Sequence, residues 1–216
     1  MSSSEGEAHV ETRTGAHTET HSGTHILLVR HPETEANVSG RFVGRGSSPY
    51  TAKGLQQLGQ TAASIAAFAP DAIWTSPLDR TVELAEKAAG MLGLTAHADE
   101  RLAEIDFGKA EGMTLGEAAS AGFLLNYWDI VEPVAPGGES RLQLGRRVAE
   151  CVDRLIEQSP CERIAIVTHG GVLRFALAHL LGLRSDDIWA FHVKNAQLAH
   201  VQVRDGSGML ERYWTE

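Results

Sequence analysis

Residues 25–34 read His-Ile-Leu-Leu-Val-Arg-His-Pro-Glu-Thr. The apolar run predicts a short buried strand, and Pro32 predicts a turn where that strand ends. Ligands of open α/β sheets gather at the carboxyl ends of strands, so Arg30 and His31 form a candidate anion site. A histidine in such a position is more often a hydrogen-bonded structural residue, so the pair needs support from the rest of the chain.

A second strand end repeats this arrangement. Residues 163–171 read Arg-Ile-Ala-Ile-Val-Thr-His-Gly-Gly and are followed by an apolar segment over 172–181. They predict a buried strand that ends in His169, then a helix. Because glycines let backbone N–H groups approach an anion at a helix start, His169 and Gly170 are further candidate binding residues.

The remaining chain alternates between helix and strand patterns. Strands are predicted over 72–75, 197–204 and 209–214, and helices between 51 and 70, from 76, over 114–130 as one or two helices, over 140–158 and over 185–191. Strands alternating with helices predict a layered α/β fold with a mostly parallel central sheet.

Two charged residues have an unusual setting. Arg80 falls in the first turn of a predicted helix, where the helix dipole disfavours a cation, which favours a functional role. Its alternative is a surface arginine paired with Glu83. Glu104 lies among apolar neighbours that would shield it from water and suit it to donate a proton, although clustered carboxylates are usually just solvated.

Composition limits the partners. The chain has 216 residues, 43% of them hydrophobic, and a formal net charge of −9, so it lacks the diffuse basic field that would hold nucleic acid or an anionic membrane surface. Cys151 and Cys161 have neither disulfide-framework nor zinc-site spacing. No apolar run is long enough to span a membrane, and no secretory leader pattern is present, so a cytoplasmic location is expected.

The amino-terminal residues predict a different state from the rest of the chain. Residues 1–24 are rich in Ser, Gly, Thr, Glu and His, which predicts a disordered polar tail before a single catalytic domain over 25–216. His17, His21 and His25 recur every four residues, a spacing that would bind a transition metal on a helix. The glycine and threonine content disfavours that helix, so a metal-free tail is the preferred interpretation.

These separate motifs together resemble the histidine phosphatase superfamily, also called the phosphoglycerate mutase-like family. The resemblance runs from about His25 to Trp214 and implies a three-layer α/β/α, phosphoglycerate mutase-like fold. The matching residues, in the order of the family, are Leu28-Val29-Arg30-His31 with Glu33-Thr34 and Asn37, Ser76-Pro77-Leu78 with Arg80, Glu104-Ile105-Asp106-Phe107-Gly108 with Glu111-Gly112, Pro136-Gly137-Gly138-Glu139-Ser140, and Val167-Thr168-His169-Gly170-Gly171.

The resemblance implies a phosphomonoester hydrolase that acts on a small phosphorylated metabolite. His31 would attack phosphorus to give a phosphohistidine, and Glu104 would protonate the leaving oxygen and then activate water. Groups that would hold the phosphoryl oxygens belong to Arg30, Asn37, Arg80, His169 and Gly170.

General chemistry agrees with these roles. Phosphoryl transfer needs in-line positioning and positive charge around the equatorial oxygens, and two guanidiniums supply both donors and charge. We therefore expect no metal and no cofactor. His31 must be unprotonated at its attacking nitrogen, whereas His169 is more useful as a donor, so the two histidines are expected to differ in protonation.

Three positions depart from the family pattern. Pro32 stands where glycine is usual and removes an amide donor, Tyr50 stands where leucine is common, and Ala110 replaces an aromatic residue. Pro32 is also the feature that favours one alternative, a non-catalytic phosphate-binding domain.

The other alternative is mutase-type phosphotransfer. Only about 112–138 is available to build a lid, which favours hydrolysis. A second anionic group of the substrate would meet loop cations, although these are equally well explained as solvated charges: Arg41, Arg45 and Lys109. The sequence leaves the oligomeric state open, with a homodimer as one alternative.

Overall fold

The computed structural model describes residues 23–123, 129–158 and 163–216. The predicted polar tail, with His17 and His21, lies outside the described residues except at its end, where the first strand begins at Thr24. Cys161 also lies outside them, while Cys151 is a buried free thiol. Among the described residues, no helix has both the length and the apolar character needed to cross a membrane. The cytoplasmic location remains a prediction.

A six-stranded sheet organises the chain, in the order β3-β2-β4-β1-β5-β6. The first four of these strands are parallel, and β5 and β6 add two antiparallel pairings at one edge. The predicted mostly parallel sheet is confirmed. The strands are β1 (Thr24–Arg30), β2 (Ala72–Thr75), β3 (Ala96–Ala98), β4 (Arg163–Thr168), β5 (Gln197–Arg204) and β6 (Ser207–Thr215).

Helices cover both faces of the sheet, which gives three layers. The helices are α1 (Glu35–Val38), α2 (Ala52–Phe68), α3 (Asp79–Leu92), α4 (Leu115–Ser120), α5 (Arg141–Gln158) and α6 (Gly170–Leu180). Short 3₁₀ turns span Glu100–Leu102, Gly108–Ala110 and Ser185–Ala190.

Alternation along β1 explains why its sequence is apolar without a break. Ile26 and Leu28 face the core formed with α5 and α6, whereas Leu27 and Val29 face the core formed with α2 and α3. A strand buried on both faces needs apolar side chains at every position. The opening stretch therefore specifies a central strand with a helical layer on each side.

Two helix predictions need correction. Among the described residues of the segment predicted as one or two helices over 114–130, the helix is α4, which begins after the capping residue Thr114 and is followed by Gly122 with a φ of +76°. Residues 124–128 of that prediction lie outside the described residues. The predicted helix over 185–191 is a 3₁₀ turn.

The register of the central pair positions the candidate site. β1 and β4 are parallel neighbours with Arg30 opposite Thr168. The backbone N–H of His31 continues the ladder by donating to Thr168 O at 3.0 Å. His31 and His169 therefore leave the sheet side by side, at the edge where ligands of such sheets are expected.

Candidate active site

The two histidines meet at the carboxyl ends of β1 and β4. Their ring centroids are 5.3 Å apart, with the planes at 60°. Both residues are buried, with 4% of His31 and none of His169 exposed. The sequence prediction that two distant strand ends form one site is met by this geometry.

His31 is oriented by a backbone carbonyl. Its Nδ1 lies 2.7 Å from Pro32 O, and because a carbonyl can only accept, the proton of the neutral ring is on Nδ1. Burial, followed by the charges of Arg30 and Arg80, holds the pKa of His31 well below its ordinary value of 6.5. The Nε2 atom therefore keeps its lone pair, and Pro32, which lacks only the amide hydrogen, supplies the orienting acceptor.

His169 contacts a residue that the sequence motifs did not assign. Its Nε2 lies 2.7 Å from Ser76 Oγ, while its Nδ1 is buried without a hydrogen-bond partner among the described residues. Burial, followed by the charges of Arg80, His31 and Arg30, also lowers its pKa well below 6.5. Burial thus favours the neutral form of both rings, and the expectation that the two histidines differ in protonation stays a prediction.

Arg30 adjoins the start of α6. Its Nη1 donates to Val193 O at 2.9 Å, and its Nε is buried without a partner in the described part of the chain. Burial is the largest influence on the pKa of Arg30, which it lowers to about 10, so the guanidinium stays charged at neutral pH. A Cβ on Gly170 would lie 3.3 Å from Arg30 Nε, so glycine leaves room for the guanidinium.

Arg80 belongs to the site rather than to the surface. Only 5% of it is exposed, and it donates to Gly46 O at 2.8 Å and to Gly44 O at 2.9 Å, not to Glu83. Burial lowers its pKa. The Tyr50 hydroxyl donates to Arg80 O at 2.6 Å, so this departure from the family pattern supports the same helix start.

Glu111 holds the loop that receives Arg80. Its carboxylate accepts from Gly44 N and Gly46 N, each at 2.9 Å, while the carbonyls of the same two glycines accept from Arg80. Glu111 thus acts on Arg80 through the backbone of two glycine residues, Gly44 and Gly46. The motif containing Glu111 was visible in the sequence, but this role depends on a contact between segments 65 residues apart.

Glu104 lies across the cavity from Arg30. Its Oε2 accepts from Gly171 N at 3.1 Å, and its Oε1 accepts from Ile105 N at 3.0 Å. Both residues line a cavity of about 260 Å³. A Cβ on Gly171 would collide with Glu104 Oε1, so the second glycine of the pair lets the carboxylate approach the helix start.

A partly buried ion pair contacts the segment that carries Glu104. Arg147, on α5, pairs with both carboxylate oxygens of Glu139, at 2.6 and 2.8 Å. The same guanidinium donates to Ala103 O at 2.7 Å and to Glu104 O at 3.2 Å. Bidentate arginine pairs are geometrically specific, so this pair holds the backbone that carries Glu104. Glu139 belongs to a motif visible in the sequence, whereas sequence reasoning missed Arg147.

Asn37 lies beside the turn that carries His31. Its Oδ1 accepts from Thr34 N at 3.1 Å and from Asn195 Nδ2 at 2.8 Å. Asn195 Nδ2 also lies 3.3 Å from Pro32 O. The side-chain oxygen of Asn37 is thus used within the protein, and its amide NH₂ is the group that a ligand would meet.

The loop cations considered for a second anionic group do not line the 260 Å³ cavity. Arg41 pairs with Glu117 at 3.0 Å, and Arg45 lies 3.8 Å from Glu100. Lys109 is exposed. Within the described ranges, no group of three or more His, Cys, Asp or Glu side chains is arranged to hold a metal ion.

Two histidines, two arginines and a carboxyl group thus lie near one edge of the central sheet, between two layers of helices. The chain belongs to the histidine phosphatase superfamily (branch 1), whose family model matches residues 26–215. It is 31% identical to an adenosylcobalamin/alpha-ribazole phosphatase of Salmonella typhimurium, over 86% of this chain and 94% of that protein.

Solved structures show the same likeness. The alpha-ribazole phosphatase from Shigella flexneri superposes with a TM-score of 0.81 at 26% identity, covering 89% of this chain and 96% of that one. A phosphoserine phosphatase mutant from Entamoeba histolytica in complex with phosphoserine gives a TM-score of 0.74 at 28% identity, covering 88% and 96%. The three-layer phosphoglycerate mutase-like fold is confirmed.

Proposed function

We propose that this protein hydrolyses phosphomonoesters of small metabolites through a phosphohistidine formed on His31. The hydrogen bond from His31 Nδ1 to Pro32 O carries the proposal, because it leaves the Nε2 lone pair available at the edge of a cationic pocket. A non-catalytic phosphate-binding domain would not need an oriented nucleophile together with a carboxyl group. Pro32 does not favour that alternative, since the orienting contact uses its carbonyl.

The phosphate is held by donors that lack protein partners. Arg30 Nε and His169 Nδ1 are buried and unpartnered among the described residues, which is costly unless a ligand satisfies them. In the proposed site the neutral ring of His169 carries its proton on Nδ1 and donates it to a phosphoryl oxygen, while its Nε2, 2.7 Å from Ser76 Oγ, accepts from the Ser76 hydroxyl. Arg80 and the amide of Asn37 supply further donors.

Chemistry follows in two displacements. The Nε2 lone pair of His31 forms a bond to phosphorus while the ester P–O bond breaks, and protonated Glu104 gives its proton to the leaving oxygen. The Glu104 carboxylate then takes a proton from water, the water oxygen bonds to phosphorus, and the P–N bond breaks to release phosphate. The guanidiniums neutralise the equatorial oxygens throughout, so the mechanism needs no metal.

Hydrolysis is preferred to mutase-type transfer. A mutase must exclude water while the phosphoryl group stays on the enzyme, which requires cover over the cavity mouth. Within 112–138, the described residues that could shield the cavity mouth from water are the six-residue helix α4 and its flanking turns. The phosphatase activities named for the two alpha-ribazole phosphatases support the same choice.

The test is to trap and map the intermediate. Quenching in alkaline SDS after a pulse with a ³²P-labelled monoester should leave alkali-stable, acid-labile label on His31, and His31→Ala should abolish both label and turnover. His97→Ala, an exposed histidine on β3, is the matched control and should change neither. Label on another residue would refute the assignment. Loss of turnover in EDTA would refute metal independence, and phosphate migration on phosphoglycerate would favour a mutase.

A further inference from the structure

The cavity extends past the phosphate-holding residues toward α6 and the 3₁₀ turn Ser185–Ala190. Beyond Arg30 and Glu104 it is lined by Arg174 and Trp189. We propose that Arg174, braced by Trp189, forms a subsite for a second anionic group of the substrate. The substrate class is then a short phosphomonoester that also carries a carboxylate or a second phosphate. This inference rests on the proposed phosphatase function and names the substrate class of the same site.

Helix geometry places Arg174 over the reacting groups. It lies three residues after Gly171 and four after Gly170, so it projects from the same face of α6 as the two glycines. Those glycines are the positions where Arg30 and Glu104 approach the helix. A ligand that spans one helical turn from the phosphate pocket therefore meets the Arg174 side chain.

The guanidinium of Arg174 is held in place by its Nε, and its Nη1 and Nη2 groups remain available as hydrogen-bond donors. Its Nε donates to Phe191 O at 3.1 Å, and its Cζ lies 5.4 Å from the centre of the Trp189 ring. No described residue accepts from its Nη1 or Nη2. An arginine that is fixed on one edge and open on the other presents a planar pair of donors suited to a carboxylate or a phosphate.

Charges around the cavity favour an anion at this position. Arg174 is close enough to Arg30 for its charge to help lower the pKa of Arg30. The acidic side chain that lines this cavity is Glu104, which the reaction uses as its proton donor. Arg30 and Arg174 are neighbouring cations, Glu104 is the carboxyl group near Arg30, and no described acidic residue forms an ion pair with Arg174. A ligand that carries two anionic groups would place the second one on Arg174.

An aromatic leaving group fits the same cavity less well. The Trp189 ring that would stack on it is already contacted by guanidiniums, with the Cζ atoms of Arg174 and Arg141 at 5.4 and 6.0 Å from its centre. The apolar part of the lining, which includes Phe42 and Phe107, suits a short carbon chain between two charged ends.

Matched substrate pairs test the subsite. The carboxylate arm compares O-phosphoserine with phosphoethanolamine, and the phosphate arm compares fructose 1,6-bisphosphate with fructose 6-phosphate. The wild-type kcat/KM should favour the doubly anionic member of at least one pair, and the pair that responds identifies the anion. Arg174→Gln should lower kcat/KM for that member by about 10- to 100-fold, mainly through KM, because charged hydrogen bonds are lost.

Controls separate this inference from the phosphatase function. Hydrolysis of p-nitrophenyl phosphate and phosphate labelling of His31 should survive in Arg174→Gln, and Arg174→Lys should retain part of the selectivity. Arg184→Gln, at an exposed arginine paired with Asp186, should change nothing. Wild-type indifference within both pairs would overturn the subsite. Equal losses on all esters, including p-nitrophenyl phosphate, would also overturn it, whereas absence of His31 labelling would overturn the proposed function instead.

Discussion

Replacing Gly171 with alanine should move the proton donor without disturbing the fold. A Cβ at this position would collide with Glu104 Oε1 and would lie 3.3 Å from Glu104 Cδ. Because non-bonded heavy atoms settle about 3.5–4.0 Å apart, the carboxylate must retreat by roughly 1 Å. The atom that yields is the end of a flexible side chain, and alanine is favoured over glycine in a helix by about 0.5–1 kcal/mol. The free energy of unfolding should therefore not fall.

The size of the kinetic effect depends on the leaving group. A misplacement of about 1 Å can cost on the order of 10²-fold, and a general acid contributes about 10²- to 10⁴-fold. We expect Gly171→Ala to lower kcat by about 10²-fold on an alkyl phosphate, whose leaving oxygen needs a proton. On p-nitrophenyl phosphate the loss should be about threefold or less, since nitrophenolate departs without protonation.

The assay is therefore a series of esters with leaving groups of increasing acidity, measured for wild type, Gly171→Ala and Glu104→Gln. Both variants should show the same steeper dependence on leaving-group acidity. Gly90→Ala, in the last turn of α3 with nothing within 4 Å of the added Cβ, is the matched control and should keep wild-type kinetics. A Gly171→Ala enzyme with wild-type kcat on alkyl phosphates, or with equal losses on all esters, would refute the placement of the acid.

Two further predictions concern Arg80 and the histidines. Glu111→Gln should lower the free energy of unfolding, measured by urea denaturation, by about 1–3 kcal/mol and should also reduce kcat/KM. The reason is that a single amide oxygen replaces a carboxylate that accepts from two glycine N–H groups. Glu83→Gln is the exposed control, and an unchanged kcat/KM in Glu111→Gln would contradict the role of Glu111. The fold holds the pKa values of His31 and His169 below 6.5, so below pH 6.5 the unfolded chain binds more protons than the folded protein. The free energy of unfolding should therefore fall as the pH is lowered below 6.5, by up to about 1.4 kcal/mol per pH unit for each histidine. Urea denaturation between pH 7.5 and 5 measures this slope, which His31→Gln should reduce; a slope that His31→Gln leaves unchanged would show that His31 is not buried as a neutral ring.

The sequence predicted the parts of this molecule that follow from local pattern. The unbroken apolar run of β1 and the strand that ends at His169 were readable because burial on both faces demands apolar side chains at every position. β3 was missed, since Ala96–Ala98 is short and partly exposed and carries no strand-forming pattern. The sequence motifs identified the histidines and arginines of the candidate site, but they did not identify the residues that form hydrogen bonds with them.

What could not be predicted depends on contacts between distant segments. Ser76 beside His169, Glu111 beneath the Arg80 loop and Arg147 behind Glu104 each join residues separated by tens of positions. Arg174 in particular sits in an apolar helix where nothing in the local sequence indicates a binding role. The parallel register of the sheet and the packing of α5 and α6 bring these distant segments together.

The proposed site has two parts that are held by different kinds of contact: backbone contacts at His31, and side-chain contacts around the leaving-group cavity. This difference determines which substitutions should alter selectivity between esters. The proposed nucleophile is oriented by backbone groups: the carbonyl of Pro32 contacts the His31 ring, and the ladder to Thr168 holds its backbone. Side-chain substitutions elsewhere leave those contacts intact. The proposed acid lies on the loop that contains Glu104, and the rest of the leaving-group cavity includes side chains on α5, α6 and the 3₁₀ turn Ser185–Ala190. Substitutions there should alter which ester is cleaved while the chemistry at phosphorus continues, so selectivity and turnover should separate in variants of Arg174.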